Sequence, residues 1–494
     1  MFLLIFLFLP IVYGNIPYKF EISGPGLSPN IVLPARYFFI KPLDKHGNLI
    51  NEKLPGKLEV KIKGSGGTHG NCRHGVNTIP RDDGVIIARY KLIDECVNMK
   101  IEVLYDGQYI GNSPYNFKNR ITVPEKCFCP MESTIKWMNN AKCPHKEMQI
   151  KNDLMPFQSV NFTHLKPKLL EKFSNPESNS LCNYVVKLNK IYRKCYGKYT
   201  GFSMFMDATL LSLSRLMTLP DVEFFVNLGD WPLVKKGGHS RTIIFPIFSW
   251  CGSDDTFDIV MPTYDITEAS LENMGRVSLD MLSVQKRKYE WNEKQNKAFW
   301  RGRDARRERL DLIDIGKKYP ELFNVSLTNF FFFRDDDSMQ KYGPTQPHIS
   351  FFDFFEYKYQ INIDGTVAAY RFPYLLAGDA VVFKQDSPYY EHFYKKLTPM
   401  EHYIPIKRDL SDLVEKLEFA RENDDVVKEI GRQGRAFAEK NLLPLNIFCY
   451  YTLLLQEFSK RIVSPISVAS DMELVAQPES SQCKCPKKSQ HDEL

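Results

Sequence analysis

Long apolar runs and an excess of one charge are both lacking in this sequence. Outside residues 1–14, no segment approaches the roughly 18 consecutive apolar residues that a transmembrane helix needs. The 65 lysines and arginines nearly balance the 59 aspartates and glutamates, which leaves a net charge of +6, and no long basic run is present. We therefore expect neither a membrane span nor a nucleic-acid partner.

Cysteine spacing typical of a zinc site is also lacking. Cys127 and Cys129 are separated by a single residue, and so are Cys483 and Cys485, which does not match the spacing of paired zinc ligands. We predict no metal site at either pair.

The two ends of the sequence resemble sorting signals. Residues 1–14, MFLLIFLFLPIVYG, form a short apolar run that closes on a small residue, as a cleaved signal peptide does. The last four residues are HDEL, a motif that an ER-retrieval receptor reads. Together they predict a protein of the endoplasmic reticulum lumen, with that receptor as a partner.

An oxidising lumen predicts disulfide bonds among the 11 cysteines, with at least one thiol left unpaired. The expected pairs are Cys72 with Cys96, Cys182 with Cys195, and Cys449 with one of Cys127, Cys129 and Cys143. Two sequons predict glycosylation of surface asparagines at Asn161 and Asn324.

The sequence divides into an all-β part and an α/β part. Residues 15–120 contain short apolar runs separated by turns, which predicts a β-sandwich. From about residue 150 strands alternate with helices, for example a helix at 202–217 and a strand at 221–228, so two Rossmann-like lobes with a cleft are expected within 121–462. Residues 463–494 are polar and predict a flexible tail.

Residues 354–384 carry the pattern of one βαβ unit. A strand at 360–363 leads into the turn Asp364-Gly365-Thr366, a short apolar helix is expected at 367–376, and a buried strand follows at 380–383. A helix N-terminus at Thr366 would face the crevice where anions bind, and Arg371 would add a fixed positive charge. An ordinary βαβ unit with a surface arginine is the alternative.

Two further segments carry residues suited to chemistry. Asp230 follows a predicted apolar strand, where a carboxylate could accept a proton from a substrate hydroxyl; the alternative is an aspartate that caps a turn or a helix. Residues 301–309 contain five arginines, whose guanidinium groups match phosphate oxygens, and some of which must form a solvated helix face. The run of aspartates at 335–337 could bind a divalent ion, but we interpret it as an exposed loop.

These segments resemble a known enzyme family. The motifs are YKYQINIDGTVAAYR at 357–371, FWRG at 299–302, NLGD at 227–230 and HYIPI at 402–406, and they are similar to those of the Rumi-type protein O-glucosyltransferases. The motifs GPGL at 24–27, DG at 83–84, YDG at 105–107 and GNSP at 111–114 resemble a filamin-type immunoglobulin-like repeat. A filamin-like repeat and an HDEL end are similar to the KDEL-motif-containing branch of the family.

The resemblance implies an α/β glycosyltransferase of the GT-B type, preceded by the filamin-type sandwich. It implies inverting transfer of glucose from UDP-glucose to serine in folded EGF-like repeats, without a metal or other cofactor. Rival interpretations are a transferase that uses UDP-xylose or another acceptor, and a non-catalytic lumenal chaperone or adaptor.

The resemblance also implies roles for individual residues. Asp230 corresponds to the general base. The loop after Cys195 departs from the better-known branch, and acceptor contacts are expected at Tyr196, Gly197, Lys198 and Tyr199. The expected donor-binding residues are Arg301, Gly302, Arg303, Arg309, Gly365, Thr366, Val367, Ala368, Ala369, Tyr370 and Arg371.

Overall fold

The computed structural model describes residues 18–477 and Cys485, except 29–30, 32, 52–53, 67–69, 124–126, 178–179, 238–242, 272–279 and 287. The apolar segment at 1–14, Cys483 and the HDEL motif lie outside the described residues, so the expectations that rest on them stay predictions.

The N-terminal module is an antiparallel β-sandwich, as its sequence predicts. One sheet has the strand order β1-β2-β5-β4, and the other has the order β3-β6-β7 with β8 also paired to β6. The predicted disulfide between Cys72 and Cys96 lies in the core between the sheets. The strands are β1 Lys19–Ser23, β2 Arg36–Leu43, β3 Leu58–Ser65, β4 His74–Pro80, β5 Ile86–Leu92, β6 Val97–Tyr105, β7 Gln108–Tyr109 and β8 Tyr115–Phe117.

The part that follows is built on two α/β sheets. The first half contains the helices α1 Thr134–Ala141, α2 Met148–Leu154, α3 Phe162–Phe173, α4 Ser203–Leu216 and α5 Tyr264–Leu271, and the strands β9 Leu181–Lys187, β10 Lys190–Tyr196, β11 Val222–Asn227, β12 Ile247–Ser249, β13 Gly252–Ser253 and β14 Ile259–Val260. The second half contains the strands β15 Gln295–Arg303, β16 Phe323–Asn329, β17 Tyr357–Asn362, β18 Val381–Gln385, β19 Tyr389–Tyr390, β20 Ile404–Ile406 and β21 Glu473–Val475, and the helices α6 Arg307–Lys318, α7 Asp336–Tyr342, α8 Phe372–Ala377, α9 Leu413–Glu422, α10 Asp424–Asn441 and α11 Pro444–Ser459.

The two sheets differ in topology. The second sheet is wholly parallel, with the order β16-β15-β17-β18-β20, as expected for a Rossmann-like unit. The first sheet, β14-β12-β11-β9-β10-β21, is parallel only from β14 to β11, and its remaining pairs are antiparallel. The first sheet therefore departs from the Rossmann-like arrangement expected for both lobes, because β9 and β10 form a hairpin rather than a crossover.

Residues 463–477 are part of the fold rather than a flexible tail, which corrects that portion of the prediction. Strand β21 pairs antiparallel with β10, and the side chain of Gln477 donates a hydrogen bond of 2.7 Å to the Ser214 hydroxyl. Cys485 forms a disulfide with Cys129, which the sequence analysis did not anticipate. In the sequence, the apolar residue at 474 and the cysteine at 485 are the features that could have indicated the strand and the disulfide.

The other expected disulfides are present, and one thiol is unpaired. Cys182 is bonded to Cys195, and Cys143 is the cysteine of its cluster that bonds to Cys449. Within the described residues Cys251 is the free cysteine, and it is buried. None of the helices that the structure describes is long and apolar enough to cross a membrane.

The N-terminal module and the first sheet share one hydrophobic core. Tyr37, Phe39 and Ile87 of the module belong to the same buried cluster as Phe224 of β11 and Leu454 of α11. A second cluster fills the space around the parallel sheet. The module is therefore packed into the rest of the protein and not held only by a linker.

Candidate active site

A cavity of about 620 Å³ opens where residues after β11 meet the parallel sheet. Asp230 and every predicted donor-binding residue line it, so the structure brings together segments that are distant in sequence. These lining residues are Asp230, Arg301, Gly302, Arg303, Arg309, Gly365, Thr366, Val367, Ala368, Ala369, Tyr370 and Arg371.

Asp230 supplies a carboxylate to the lining of the cavity. The preceding turn is fixed by Asn227, whose side chain accepts from Gly229 N at 3.0 Å and donates to Trp231 O at 2.7 Å. The Asp230 carboxylate has no hydrogen bond or ion pair to the described residues. Burial raises its pKa above the usual range, and the nearby charge of Arg303 opposes that rise. Such a carboxylate is available to accept a proton.

Arg371 contacts the backbone of Arg301, and both residues line the same cavity. Arg371 Nη1 donates to the backbone oxygen of Arg301 at 2.5 Å. Gly302 is required between them, because a Cβ there would lie 2.6 Å from the Trp300 ring and 3.3 Å from Arg371 Nη2. Burial lowers the pKa of Arg371 to about 10, while the charge of Asp265 raises it. The guanidinium stays charged at neutral pH and favours an anionic ligand.

Arg309 holds the turn that follows β17. Its Nε donates to the backbone oxygen of Asp364 at 2.7 Å, and its two Nη atoms donate to the oxygens of Arg303 at 2.9 Å and Ile363 at 3.3 Å. Burial, followed by repulsion from Arg371, lowers its pKa to about 9. A Cβ at Gly365 would lie 3.1 Å from Arg309 Nη2, so a side chain there would crowd the guanidinium. Most of the donors of Arg309 are used to position the chain.

The segment from Gly365 to Arg371 is not helical, which corrects the sequence prediction. Helix α8 begins at Phe372, and its N-cap is Arg371 rather than Thr366. Pro373 lies in the first turn of α8, where proline is favourable, whereas a helix starting at 367 would place it in the interior. No helix dipole therefore points from Thr366, and its backbone oxygen instead accepts from Arg306 Nη2 at 3.1 Å.

The remaining arginines of the cluster diverge, as expected. Arg303 is exposed at the cavity, and Arg307 pairs with Asp311 at 3.2 Å on the outer face of α6. The Arg306 guanidinium lies 5.0 Å from the ring centroid of Tyr389. Only part of the arginine-rich run thus faces the site.

Several residues that line the cavity were not predicted from the sequence. Asp265 is a second carboxylate, and it follows the apolar strand β14 much as Asp230 follows β11, so the same rule could have found it. No comparable sequence pattern indicates that the aromatic residues of the 3-10 helix at 351–356 line the cavity. The missed lining residues are Tyr264, Asp265, Ala305, Thr328, His348, Ile349, Phe351, Phe354 and Tyr374.

The four predicted acceptor-binding residues do not line this cavity. Tyr196 ends β10, Gly197 follows with a φ of 90°, and Lys198 forms an ion pair with Glu177. Tyr199 is exposed. Their predicted role stays untested.

The two sequons differ in their surroundings. Asn161 is half-buried and caps α3, where its Oδ1 accepts from Thr163 N at 3.1 Å. Asn324 lies within β16, where its side chain accepts from Arg301 Nη2 at 2.7 Å and donates to the Tyr357 hydroxyl at 2.7 Å. Asn324 is half-buried, as Asn161 is, and its amide supports a residue of the cavity, so its glycosylation stays a prediction.

The aspartate run at 335–337 opens a helix instead of forming a loop. Asp335 caps α7 by accepting from Ser338 N at 2.8 Å. In the part of the chain that the structure describes, no group of three or more histidine, cysteine, aspartate or glutamate side chains could hold a metal ion.

Comparison with known proteins connects this geometry to a family. The family model Glycosyl transferase family 90 matches residues 138–493, and the Filamin/ABP280 repeat matches residues 16–116. Protein O-glucosyltransferase 2 of Danio rerio is 48% identical over 479 residues, which cover 96% of this chain and 94% of that protein. Protein O-glucosyltransferase 3 of Homo sapiens is 43% identical over 473 residues, which cover 94% and 92%.

A more distant relative matches a smaller share of the chain. Protein O-glucosyltransferase 1 of Homo sapiens is 29% identical over 331 residues, which cover 65% of this chain and 81% of that protein. The family match spans most of the chain and includes the cavity with Asp230 and the arginines. The chain therefore belongs to glycosyl transferase family 90 and carries a filamin-type repeat on its N-terminal side.

Proposed function

We propose that this protein is an inverting protein O-glucosyltransferase of the GT-B type. It would transfer glucose from UDP-glucose to a serine hydroxyl in folded EGF-like repeats. The observation that carries the proposal is that Asp230, Arg301, Arg303 and Arg371 all line one cavity. The names of its relatives support glucose as the sugar and a protein as the acceptor.

The proposed chemistry follows from this arrangement of charges. The serine Oγ attacks the anomeric carbon of glucose from the face opposite UDP, and Asp230 takes the hydroxyl proton. The bond between the anomeric carbon and the diphosphate oxygen breaks, so UDP leaves and the configuration inverts. General-base catalysis of this kind typically contributes ~10²–10⁴-fold in rate.

The leaving diphosphate gathers negative charge as the bond breaks. Arg303 and Arg371 would stabilise that charge, while Arg309 keeps the turn at Gly365 in place with hydrogen bonds to backbone oxygens. We propose that these arginines supply the positive charge that other nucleotide-sugar enzymes take from a divalent ion.

We further propose that the protein works in the endoplasmic reticulum lumen and is retrieved there through its HDEL motif. The disulfides described above are consistent with an oxidising compartment. EGF-like repeats are themselves disulfide-dense domains that fold in such a compartment.

Mass spectrometry of a folded EGF-like repeat tests the proposal. The repeat is incubated with UDP-glucose and the purified protein, and we expect a hexose to be added. A pentose added only from UDP-xylose would favour a xylosyltransferase. No sugar added from either donor, across several repeats, would favour the chaperone or adaptor interpretation.

A further inference from the structure

The loop after β16 is held rigidly by a buried carboxylate. Asp304, which follows directly on β15, is fully buried. Its two oxygens accept from Phe331 N at 2.7 Å, Phe332 N at 3.0 Å and Phe333 N at 2.7 Å. Three hydrogen bonds to one carboxylate fix the backbone of three consecutive residues.

The four phenylalanines of this loop divide into two pairs. Phe330 and Phe333 are half-buried and pack against the core of the parallel sheet. Phe331 and Phe332 are 46% and 53% exposed, and their rings meet edge to face with centroids 4.9 Å apart. We call Phe331 and Phe332 the aromatic platform. A firmly anchored loop that presents two large apolar side chains to solvent is typical of an interaction surface.

The aromatic platform lies at the rim of the donor cavity. The guanidinium carbon of Arg303 is 5.4 Å from the ring centroid of Phe331, and Arg303 also lines the cavity that contains Asp230. Trp231, which follows Asp230, is 42% exposed. Exposed aromatic side chains therefore lie next to Arg303 and Asp230, which both line the cavity.

The size of the cavity limits which ligand can enter it and which must stay at its rim. A volume of about 620 Å³ suits a small ligand such as a nucleotide sugar, whereas a folded protein cannot enter it. A protein acceptor must instead rest on the rim and extend one hydroxyl towards Asp230.

We propose that the aromatic platform docks the protein acceptor by packing against an exposed apolar side chain near the accepting hydroxyl. This inference rests on the proposed function, since it assigns a docking surface to the same reaction. The platform would act on acceptor affinity and not on the donor, because its rings lie outside the cavity lining.

The test is a pair of variants assayed with a folded EGF-like repeat and UDP-glucose. Phe331→Ala combined with Phe332→Ala should raise the KM for the repeat by about tenfold or more, as loss of a hot spot does. The KM for UDP-glucose and the slow hydrolysis of UDP-glucose without acceptor should not change. Phe419→Ala is the matched control, because Phe419 is 36% exposed on α9, next to the opposite edge of the sheet.

Direct binding of the repeat, measured by calorimetry, separates the possible outcomes. If the double variant transfers glucose and binds the repeat normally, the docking role of the aromatic platform is wrong and the proposed function is unaffected. Failure of the wild type to bind or to glucosylate any repeat would overturn both. Loss of a wild-type dimer in sedimentation, with unchanged acceptor KM, would overturn the acceptor assignment in favour of a second copy of the chain.

Discussion

Arg371 donates a hydrogen bond of 2.5 Å to the backbone oxygen of Arg301, and this contact joins two predicted donor-binding segments that are 70 residues apart in sequence. It fixes the Arg371 guanidinium against the end of β15, with Gly302 leaving the space it needs. The Arg371 guanidinium is thereby held in a buried site, where burial itself and then the charge of Arg303, which repels it, lower its pKa. That repulsion is tolerable if the site is built for an anion.

Asp230→Asn should lower the transfer rate by ~10²–10⁴-fold, because the amide cannot accept the serine proton. UDP affinity should stay close to that of the wild type, since the arginines are retained. Asp265→Asn provides the comparison, as it removes the other carboxylate of the same cavity, and its loss of rate should be smaller. A larger loss with Asp265→Asn would assign the proton transfer to Asp265.

The acid limb of the pH–rate profile should lie above the pH expected for an ordinary aspartate. Asp230 acts only when deprotonated, and burial raises its pKa, so the rate falls as pH decreases through that raised value. Arg303→Gln removes the charge that lowers this pKa, so the limb should move to still higher pH. The profile of kcat/KM for both proteins checks the shift, and an unmoved limb would show that another group titrates.

Arg309→Lys should reduce the free energy of unfolding by about 2 kcal/mol or more, because lysine cannot reach the three backbone oxygens that the guanidinium contacts. The KM for UDP-glucose should rise as the turn at Gly365 loosens. Urea unfolding and donor kinetics measure the two effects. Arg432→Lys on the exposed face of α10 is the control, and its change in stability should stay within about 0.5 kcal/mol.

Removal of divalent ions with EDTA should leave the transfer rate unchanged. In the proposed mechanism the arginines of the cavity, and not a metal, neutralise the departing diphosphate. The assay compares chelated enzyme with the same enzyme given Mg²⁺ or Mn²⁺. A rate that depends on the added ion would contradict this part of the proposal.

Arg81→Met should destabilise the whole protein by about 3–5 kcal/mol, because it breaks a buried ion network between the filamin-type repeat and α10. Arg81 donates to Asp83 at 3.0 Å and to Gln285 at 2.9 Å, and it also pairs with Glu439 of α10. Arg73→Met breaks only an exposed pair with Asp94 and serves as the control. Separate unfolding of the repeat, with the catalytic part unaffected, would contradict the shared core.

Much of the fold could be predicted because the local pattern and the tertiary environment agree. The apolar face of the helix at 202–217 is buried in the structure as α4, and the apolar run at 221–228 forms β11, which is buried on both faces. The turn-rich spacing of residues 15–120 likewise predicted the sandwich. In such segments the observed burial agrees with the secondary structure that the spacing of apolar residues predicts.

Other features depended on contacts that no local pattern contains. The segment from Gly365 to Arg371 has the composition of a helix, but it follows an irregular path, in which Arg306 donates to Thr366 O and Arg309 donates to Asp364 O just before it. Residues 463–477 are polar, yet β10 offers a free edge that β21 fills.

The amino-acid sequence by itself therefore determined the two-part architecture, most of the cysteine pairing, and Asp230 and the donor-binding segments among the residues that line the cavity. Those features rest on periodicity, on cysteine spacing and on motifs that are contiguous in the chain. Only the tertiary structure decided which arginines face the cavity, which of them position the backbone, and that Phe331 and Phe332 remain at its rim. Those outcomes depend on distances between segments that lie far apart in sequence, and sequence spacing does not encode such distances.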